Sequence, residues 1–391
     1  VQLLAGAGPV VASFVLFGVF WGSWAVMVYD IQRAFGLSDA QLGVLLAVAV
    51  AVAGGSSAVM AHLVGHVGPR RLLWVALFAW AALLCVLSLM PEKWDFAVVL
   101  VLVEVAGGSI DTAMNAEASS RLVSNPSALV RLHATFNSGA LAGAAAAAVV
   151  IHAGVSWRWV WPGIAVFAVV VGGWAAATDP GPADAAASKD PAGQRTTAHP
   201  LRRLRADGLL VLLAVFALAE ITEGGVDTWG VLFLRSHLAT GVLLGAGAYV
   251  LGQAVAATTR GAGGAALGRL TSRHALIVGG LVAGGGILLE SLSPVAGVAA
   301  VGLALGAGGA SLFWPLVMST VSRLASQVVS AVGAFTAAGY IGWVAGAPVV
   351  GWVSQAFGPA RGLQVLAIAA FAVSACTLLS RARPVPSRGT G

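Results

Sequence analysis

Long apolar runs separated by short polar breaks recur along the whole chain. Twelve of them are centred near residues 19, 52, 80, 107, 141, 168, 220, 252, 283, 308, 341 and 371. Each is roughly 18–25 residues long, which as a helix rising 1.5 Å per residue is enough to cross a hydrocarbon layer of about 30 Å. The pattern predicts an all-α membrane protein with 12 transmembrane helices. One break stands apart. Residues 178–207, TDPGPADAAASKDPAGQRTTAHPLRRLRAD, are rich in proline, mixed in charge and without apolar periodicity, and so read as a solvated linker. Residues 1–177 then form one six-helix bundle and 208–391 a second, ending in a short tail.

Composition agrees with that solvent. Of 391 residues 59% are hydrophobic and 9% charged, 51 are glycine, and mean hydropathy is +0.91. A soluble chain of this size needs far more charge to cover itself. If both termini are cytoplasmic, sixteen of the 21 lysines and arginines fall in cytoplasmic segments, a positive-inside bias that accounts for the net charge of +6 without nucleic acid. The first run, near Pro9 to Tyr29, lacks a basic leader and a small-residue cleavage site and reads as a retained helix. Cys85 and Cys376 lie within spans and read as small core residues. The pair His62 and His66 lacks the glutamate of a zinc-protease helix, no phosphate-binding loop follows a strand, and no cofactor is expected.

The two halves echo one another. Gly108 and Gly308, and Gly139 and Gly339, are 200 residues apart; Trp24 and Trp229 differ by 205; Gly65 and Gly268, like Arg70 and Arg273, by 203. An offset near half the chain length indicates a duplicated unit, the design in which a solute site forms between two bundles near mid-membrane.

Acids inside such a chain call for a reason. VEVAGGSIDTAMNAEASSR, residues 103–121, puts Glu104, Asp111 and Asn115 at spacings of seven and four, within about 40° of one helix face. A charged carboxylate at the bilayer centre costs several kcal/mol unless protonated, paired or hydrated. Glu104 and Asp111 are therefore the expected proton-coupling acids, with His133 as a possible relay one turn before Asn137 on span five. Glu117 lies near the helix end, in reach of Arg121. Span seven carries a second acidic stripe, Glu220, Glu223 and Asp227, beside Gly224 and Gly225. Glu223 is expected to face the cavity; Asp227 either does so or pairs with Arg235 at an outer gate. Asn115, Asn137, Gln253, Trp24, Trp229, Trp314 and Tyr340 complete the expected solute-binding set. Trp21 is a further aromatic within the spans. Few basic residues fall mid-span, Arg260 being the exception, which suits a neutral or cationic solute better than an anion.

AHLVGHVGPRR at 61–71 and GAALGRLTSRH at 264–274 resemble the repeated loop motif of the major facilitator superfamily, with Gly65 and Gly268 where that motif has aspartate. The resemblance covers essentially the whole chain and implies two pseudo-symmetric six-helix bundles, with Arg70, Arg71, Arg269 and Arg273 in cytoplasmic gate loops. Glu104 stands where span four usually has arginine, which resembles the fucose permease branch of proton-coupled sugar symporters. DTAMN, HATFNSGALAGA, EGGVDTWGVLFLR and AAGYIGWVAGAPVVGW look like a bacterial sugar-transporter-like subgroup. Span five lacks the Gly-Pro motif of drug antiporters, whereas Gly346-Ala347-Pro348 in span eleven resembles it.

The expectation is a non-enzymatic, monomeric alternating-access carrier in the cell inner membrane, powered by a proton gradient. Its partners are protons, lipid and a small solute such as a sugar. The alternatives are a proton/drug antiporter and a non-transporting sensor or scaffold.

Overall fold

The computed structural model describes residues 8–122, 126–179, 200–266, 271–325 and 328–379. Twelve helical stretches follow in order: α1 Gly8–Phe35, α2 Asp39–Val67, α3 Pro69–Leu89, α4 Lys93–Leu122, α5 Pro126–His152 and α6 Val160–Ala177, then α7 Leu210–Ser236, α8 Val242–Ala266, α9 Ser272–Leu292, α10 in two segments Ala296–Ala310 and Phe313–Leu324, α11 Val328–Phe357 and α12 Pro359–Leu379. No strand occurs among the described residues. A short helix, Pro200–Ala206, precedes α7; most of the expected linker, residues 180–199, lies outside the described residues.

Among the described residues, eleven helices are long and apolar enough to cross a membrane. The twelfth, α7, has the length at 27 residues but carries Glu220, Glu223, Asp227 and Arg235. Two of those charges, Glu223 and Asp227, line the cavity described below.

Local sequence sets the turns. Ser38 caps α2 with its side chain accepting from the Gln41 N–H, while Gln41 reaches back to the Ser38 N–H. Gly68 (φ 88°) and Gly358 (φ 92°) hold left-handed conformations that other residues resist, and each is followed by a proline whose missing N–H and fixed φ suit the first helical position. These glycine-proline pairs end α2 and α11 and start α3 and α12.

The same packing scheme is used twice. In the first half α5 lies on α1, α4 on α2 and α3, and α6 on α3; in the second α11 lies on α7, α10 on α8 and α9, and α12 on α9. The α1–α5 seam is built on glycine. A Cβ on Gly18 or Gly22 would strike the carbonyls of Phe136 and Ala140, and one on Gly139 or Gly143 those of Val15 and Val19. Only hydrogen fits, so the backbones touch and dispersion along their length holds them. Gly342 does the same against Ala217 at the α7–α11 seam. The duplication read from the offset of 200 is thus a duplication of packing. Sequence neighbours α4 and α5, by contrast, touch only slightly.

The halves meet along α2–α11, α5–α8 and α1–α7. These contacts tighten toward the end bearing the α1–α2 turn. There Arg235 of α7 binds Asp30 of α1, the Ala40 N–H of α2 donates to the Gln355 side-chain Oε1 of α11 at 3.5 Å, and Gly43 and Gly351 pack against the backbones of Ala347 and Asp39. At the other end α2 loses its neighbours: Ala61, His62, Leu63, Gly65, His66 and Val67 are all exposed, and together they face every direction round the helix. Among the described residues the halves are tied together at one end, the closed end, while at the other, the parted end, the tip of α2 is exposed.

Candidate functional site: a central cavity and a carboxylate seam

A cavity of about 130 Å³ lies between the halves, lined by α1, α5, α7, α8, α10 and α11. Its wall holds five of the residues expected from sequence: Trp24, Asn137, Glu223, Asp227 and Gln253. They come from four helices and sit near the midpoints of those helices. Gln253 donates from Nε2 to Asp227 Oδ1 at 3.0 Å, joining α8 to α7. Asp227 therefore belongs to the cavity; the Arg235 expected as its alternative partner instead makes a two-pronged ion pair with Asp30 and donates to the Val26 carbonyl at 3.0 Å.

The remaining wall is largely aromatic. Trp21, Phe136, Tyr249 and Trp343 line it, with Ser311 from α10. The Trp343 N–H donates to Glu220 Oε2 at 3.0 Å, fixing the rotation of that indole, and Trp21 meets it edge-on across the halves at 5.9 Å between centroids. Of the acidic stripe on α7, then, Glu223 and Asp227 reach the cavity, while Glu220 orients a ring in its wall. Phe136, Tyr249, Ser311 and Trp343 were missed from sequence. Tyr249 had a signal: it lies one turn before Gln253, on the same face. Phe136 and Trp343 had none beyond being aromatic.

Asp111, Asn115 and Tyr340 form a different group, outside the cavity wall. Asn115 Nδ2 donates to Asp111 Oδ1 at 2.9 Å. The Tyr340 hydroxyl lies beside Asp111 and Ser57, and a side chain begun at Gly54 would meet the Tyr340 ring at 3.0 Å. This contact crosses the halves, since Asp111 is on α4 and Tyr340 on α11. Glu104, 5% exposed, is two turns away inside the first half. Its Oε2, Trp80 Nε1 and Phe17 all crowd Gly107, at 3.8, 3.9 and 3.7 Å from where a side chain would begin.

Other expectations are corrected by position. Trp229 is buried but packs toward the closed end, against Gly351, and lines a separate small niche with Asp39 and Leu232. Trp314 is 41% exposed on the second segment of α10. Neither joins the cavity. Arg70 is buried and binds within its own half, donating from Nε to Glu117 Oε1 at 2.8 Å and from Nη1 to Thr178 Oγ1 at 2.6 Å; Glu117 is thus paired with Arg70. Arg71 is exposed at the start of α3. Arg273 caps the end of α12 through the Thr377 and Leu378 carbonyls, also within one half. Arg269 and the side chains of His133, Arg121 and Arg260 lie outside the described residues. Among the described residues no cluster has the makings of a metal site.

One buried acid escaped the sequence reading. Glu290 of α9 is 0% exposed, neither carboxyl oxygen has a hydrogen-bond partner among the described residues, and it packs against Gly230 of α7 near Leu303 of α10.

Two bundles of six helices, repeated in packing and enclosing a polar-aromatic cavity at their shared midplane, define the architecture of a membrane transporter. The sequence profile of the Major Facilitator Superfamily matches residues 10–347, and the chain belongs to that family. It is a multi-pass membrane transporter, not an enzyme. Among curated proteins it is similar to "Membrane protein MosC" of Rhizobium meliloti, 26% identical over 372 residues, covering 93% of this chain and 87% of that one. Among solved structures it is similar in fold to the nucleoside transporter NupG (TM-score 0.77, 13% identity, 98% of this chain and 100% of that one). A bacterial homologue of the lysosomal transporter Spinster, in an inward-facing and unoccupied conformation, superimposes with a TM-score of 0.72 at 14% identity over 98% of this chain and 99% of that one. A bacterial homologue of the human drug peptide transporters PepT1 and PepT2 does so with 0.71 at 16% identity, over 95% of each chain.

Proposed function

We propose that the chain is a proton-coupled secondary carrier that moves a small neutral or cationic organic solute by rocking residues 1–177 against 208–391. The observation that supports this reading best is the central cavity, lined from both halves, with the halves tied together at one end by the Arg235–Asp30 pair. On the positive-inside orientation, with both termini cytoplasmic, the parted end faces the cytoplasm. The membrane is then the cell inner membrane and the closed end is the outer gate.

The coupling site is the α4–α11 seam. Coupling requires proton binding to bias the two states differently. Asp111 meets that requirement, because it lies beside the Tyr340 hydroxyl of the other half and the donor–acceptor pattern of a carboxyl changes when it takes a proton. Glu104 supplies a second carboxyl within the first half, at the position that resembles the fucose permease branch, and a sugar-like solute follows from that resemblance. No bound group beyond the proton is required. Uptake into proteoliposomes driven by an imposed pH gradient tests the reading. Glu104→Gln and Asp111→Asn are each expected to lose gradient-driven accumulation while retaining exchange; retention of accumulation by both overturns it.

Efflux by proton/drug antiport is favoured by one feature, Gly346-Ala347-Pro348 of α11, whose backbone packs on Gly43 of α2 across the halves. Sensitisation of a knockout strain to cationic antibiotics is its test.

A further inference from the structure

Neither the cavity nor the α4–α11 seam involves Glu290. It stands third from the end of α9, toward the closed end of the bundle, and is wholly buried. Neither carboxyl oxygen has a hydrogen-bond partner among the described residues. Glycine brings three helices together around it. A side chain begun at Gly302 of α10 would strike the Glu290 backbone nitrogen at 2.5 Å, and one begun at Gly230 of α7 would meet Leu303 Cδ1 at 2.4 Å and Glu290 Oε1 at 3.2 Å. The charged and titratable groups of the packed helices are engaged elsewhere. On α7, Glu220 bonds Trp343, Glu223 and Asp227 line the cavity, Arg235 binds Asp30, and His237, just past the helix, stacks on Phe233. Near the start of α12, which also packs on α9, Arg361 is exposed and donates to Gln364. Arg273 and His274 lie at the far end of α9, where Arg323 of α10 bonds Ser272, and Ala296–Ala310 of α10 holds no titratable residue.

A carboxylate enclosed by glycine and leucine, without donor or counter-charge, is far costlier than the neutral acid in the same place. In this packing the carboxyl therefore carries its proton. A metal ion takes several oxygen ligands, which one carboxyl does not supply; a proton needs one. Losing it means passing the O–H proton to water, and α9 ends two residues on at Leu292, which is 67% exposed. The helix able to let that water in is α7. Gly224, Gly225 and Gly230 interrupt its middle with residues that weaken a helix interior and allow a bend. Gly230 and Arg235 lie about 140° apart round it. The outer stretch of α7 is thus pressed on one side against the Glu290 wedge and tied on the other to Asp30 of the first half.

We infer that Glu290 is a proton-binding site in the second half, and that its bound proton latches residues 230–236 of α7 against α9 and α10, holding the closed end shut. With the proton on, the neutral carboxyl tolerates the packing. When it leaves to water, the carboxylate that remains favours hydration, α7 lifts off the wedge, and the Arg235–Asp30 tie loses the support behind it. This rests on the alternating-access part of the carrier reading and is independent of Glu104 and Asp111 as coupling acids.

The test uses the full chain in nanodiscs, with Cys85 and Cys376 replaced by serine and with Glu104→Gln and Asp111→Asn present, so that the other two acids add no pH response. The closed end is read by maleimide labelling of Leu234→Cys, a position buried in the closed packing. Between about pH 5 and pH 9 the labelling rate, corrected for thiolate content, is expected to rise about tenfold or more. Glu290→Gln, a neutral amide of the same shape, should stay slow at both extremes, and Glu290→Asp should restore a pH response. Exchanging sodium for potassium at fixed pH should change nothing. Infrared difference spectra of the chain with Glu290 in place should show a protonated carboxyl band disappearing over the same pH range, a readout that does not depend on the Gln variant folding. Labelling that ignores pH, a pH response that survives Glu290→Gln, dependence on sodium, or a carboxyl band that persists while the closed end opens overturns the inference. The coupling reading is separable. No gradient is applied here, so accumulation retained by Glu104→Gln and Asp111→Asn would sink that reading and leave the latch standing, whereas a missing pH response at Leu234→Cys removes the latch and leaves the α4–α11 seam untouched.

Discussion

Arg235 of α7 grips Asp30 of α1 through both guanidinium terminal nitrogens, tying the two halves together at one end of the bundle. The guanidinium also lies 4.4 Å from the centroid of the Tyr29 ring and donates to the Val26 carbonyl at 3.0 Å. A planar, always-charged group with a fixed fork of donors suits this position. Lysine does not supply that fork.

Breaking the pair weakens the closed end. Arg235 is buried, while Asp30 keeps a side-chain exposure of 21%. The loss is therefore set below the roughly 3–5 kcal/mol of a wholly buried pair, at about 1–3 kcal/mol. Asp30→Asn and Arg235→Gln should each increase labelling of a cysteine placed at Ser236, and the double variant should cost less than the two single costs together. Full additivity in that cycle would show that the pair carries no coupling.

The seam at Tyr340 makes a second prediction. Tyr340→Phe keeps the ring against Gly54 and removes the hydroxyl that lies beside Asp111. Solute exchange should persist, and the pH dependence of gradient-driven uptake should shift toward that of Asp111→Asn. A Phe variant with an unchanged pH profile would detach Tyr340 from coupling.

Glu290 predicts a stability gain. A buried polar group without partners costs about 1–3 kcal/mol of desolvation, which an apolar residue of similar length avoids. Glu290→Met should raise the melting temperature in detergent. A stabilised variant that transports more slowly would show the acid is retained for function; a destabilised one would show it has a partner that this packing does not reveal.

Steric demand in the α1–α5 seam is equally definite. Gly22→Val puts a branched side chain onto the Ala140 carbonyl and should cost more than the roughly 1–3 kcal/mol of ordinary overpacking, because backbone cannot repack. Gly173→Val, at an open helix position, should be silent. Fluorescence-detected gel filtration of the two variants distinguishes them.

How much of this was legible from the chain depends on whether a feature is local. Twelve spans follow from apolar runs, and the repeat from glycines that recur because a seam needs them. Glu223 and Asp227 were found since an acid in lipid is costly anywhere except a cavity. Spacing alone, though, put Glu220 with them, and only a neighbour on α11 shows that it serves Trp343. Trp229 and Trp314 were misplaced because an indole mid-span looks alike whether it faces a cavity, a packed niche or lipid. Asn115 and Tyr340 were assigned to the solute, yet they converge on Asp111. Asp30 and Arg235 are 205 residues apart, the offset that also separates Trp24 from Trp229, but a repeat offset marks equivalent positions and gives no sign that the two residues touch.

The central claim is that the two ends of the bundle open and close reciprocally about the cavity. Spin labels at Ala34 and Ser236 report the closed end, and labels at Leu63 and Thr336 the parted end, by pulsed electron resonance in nanodiscs. Replacing Asp30 by Asn should lengthen the first distance and shorten the second. If both distances lengthen together, or the second stays fixed while the first changes, the halves do not rock about the cavity and the alternating-access account fails.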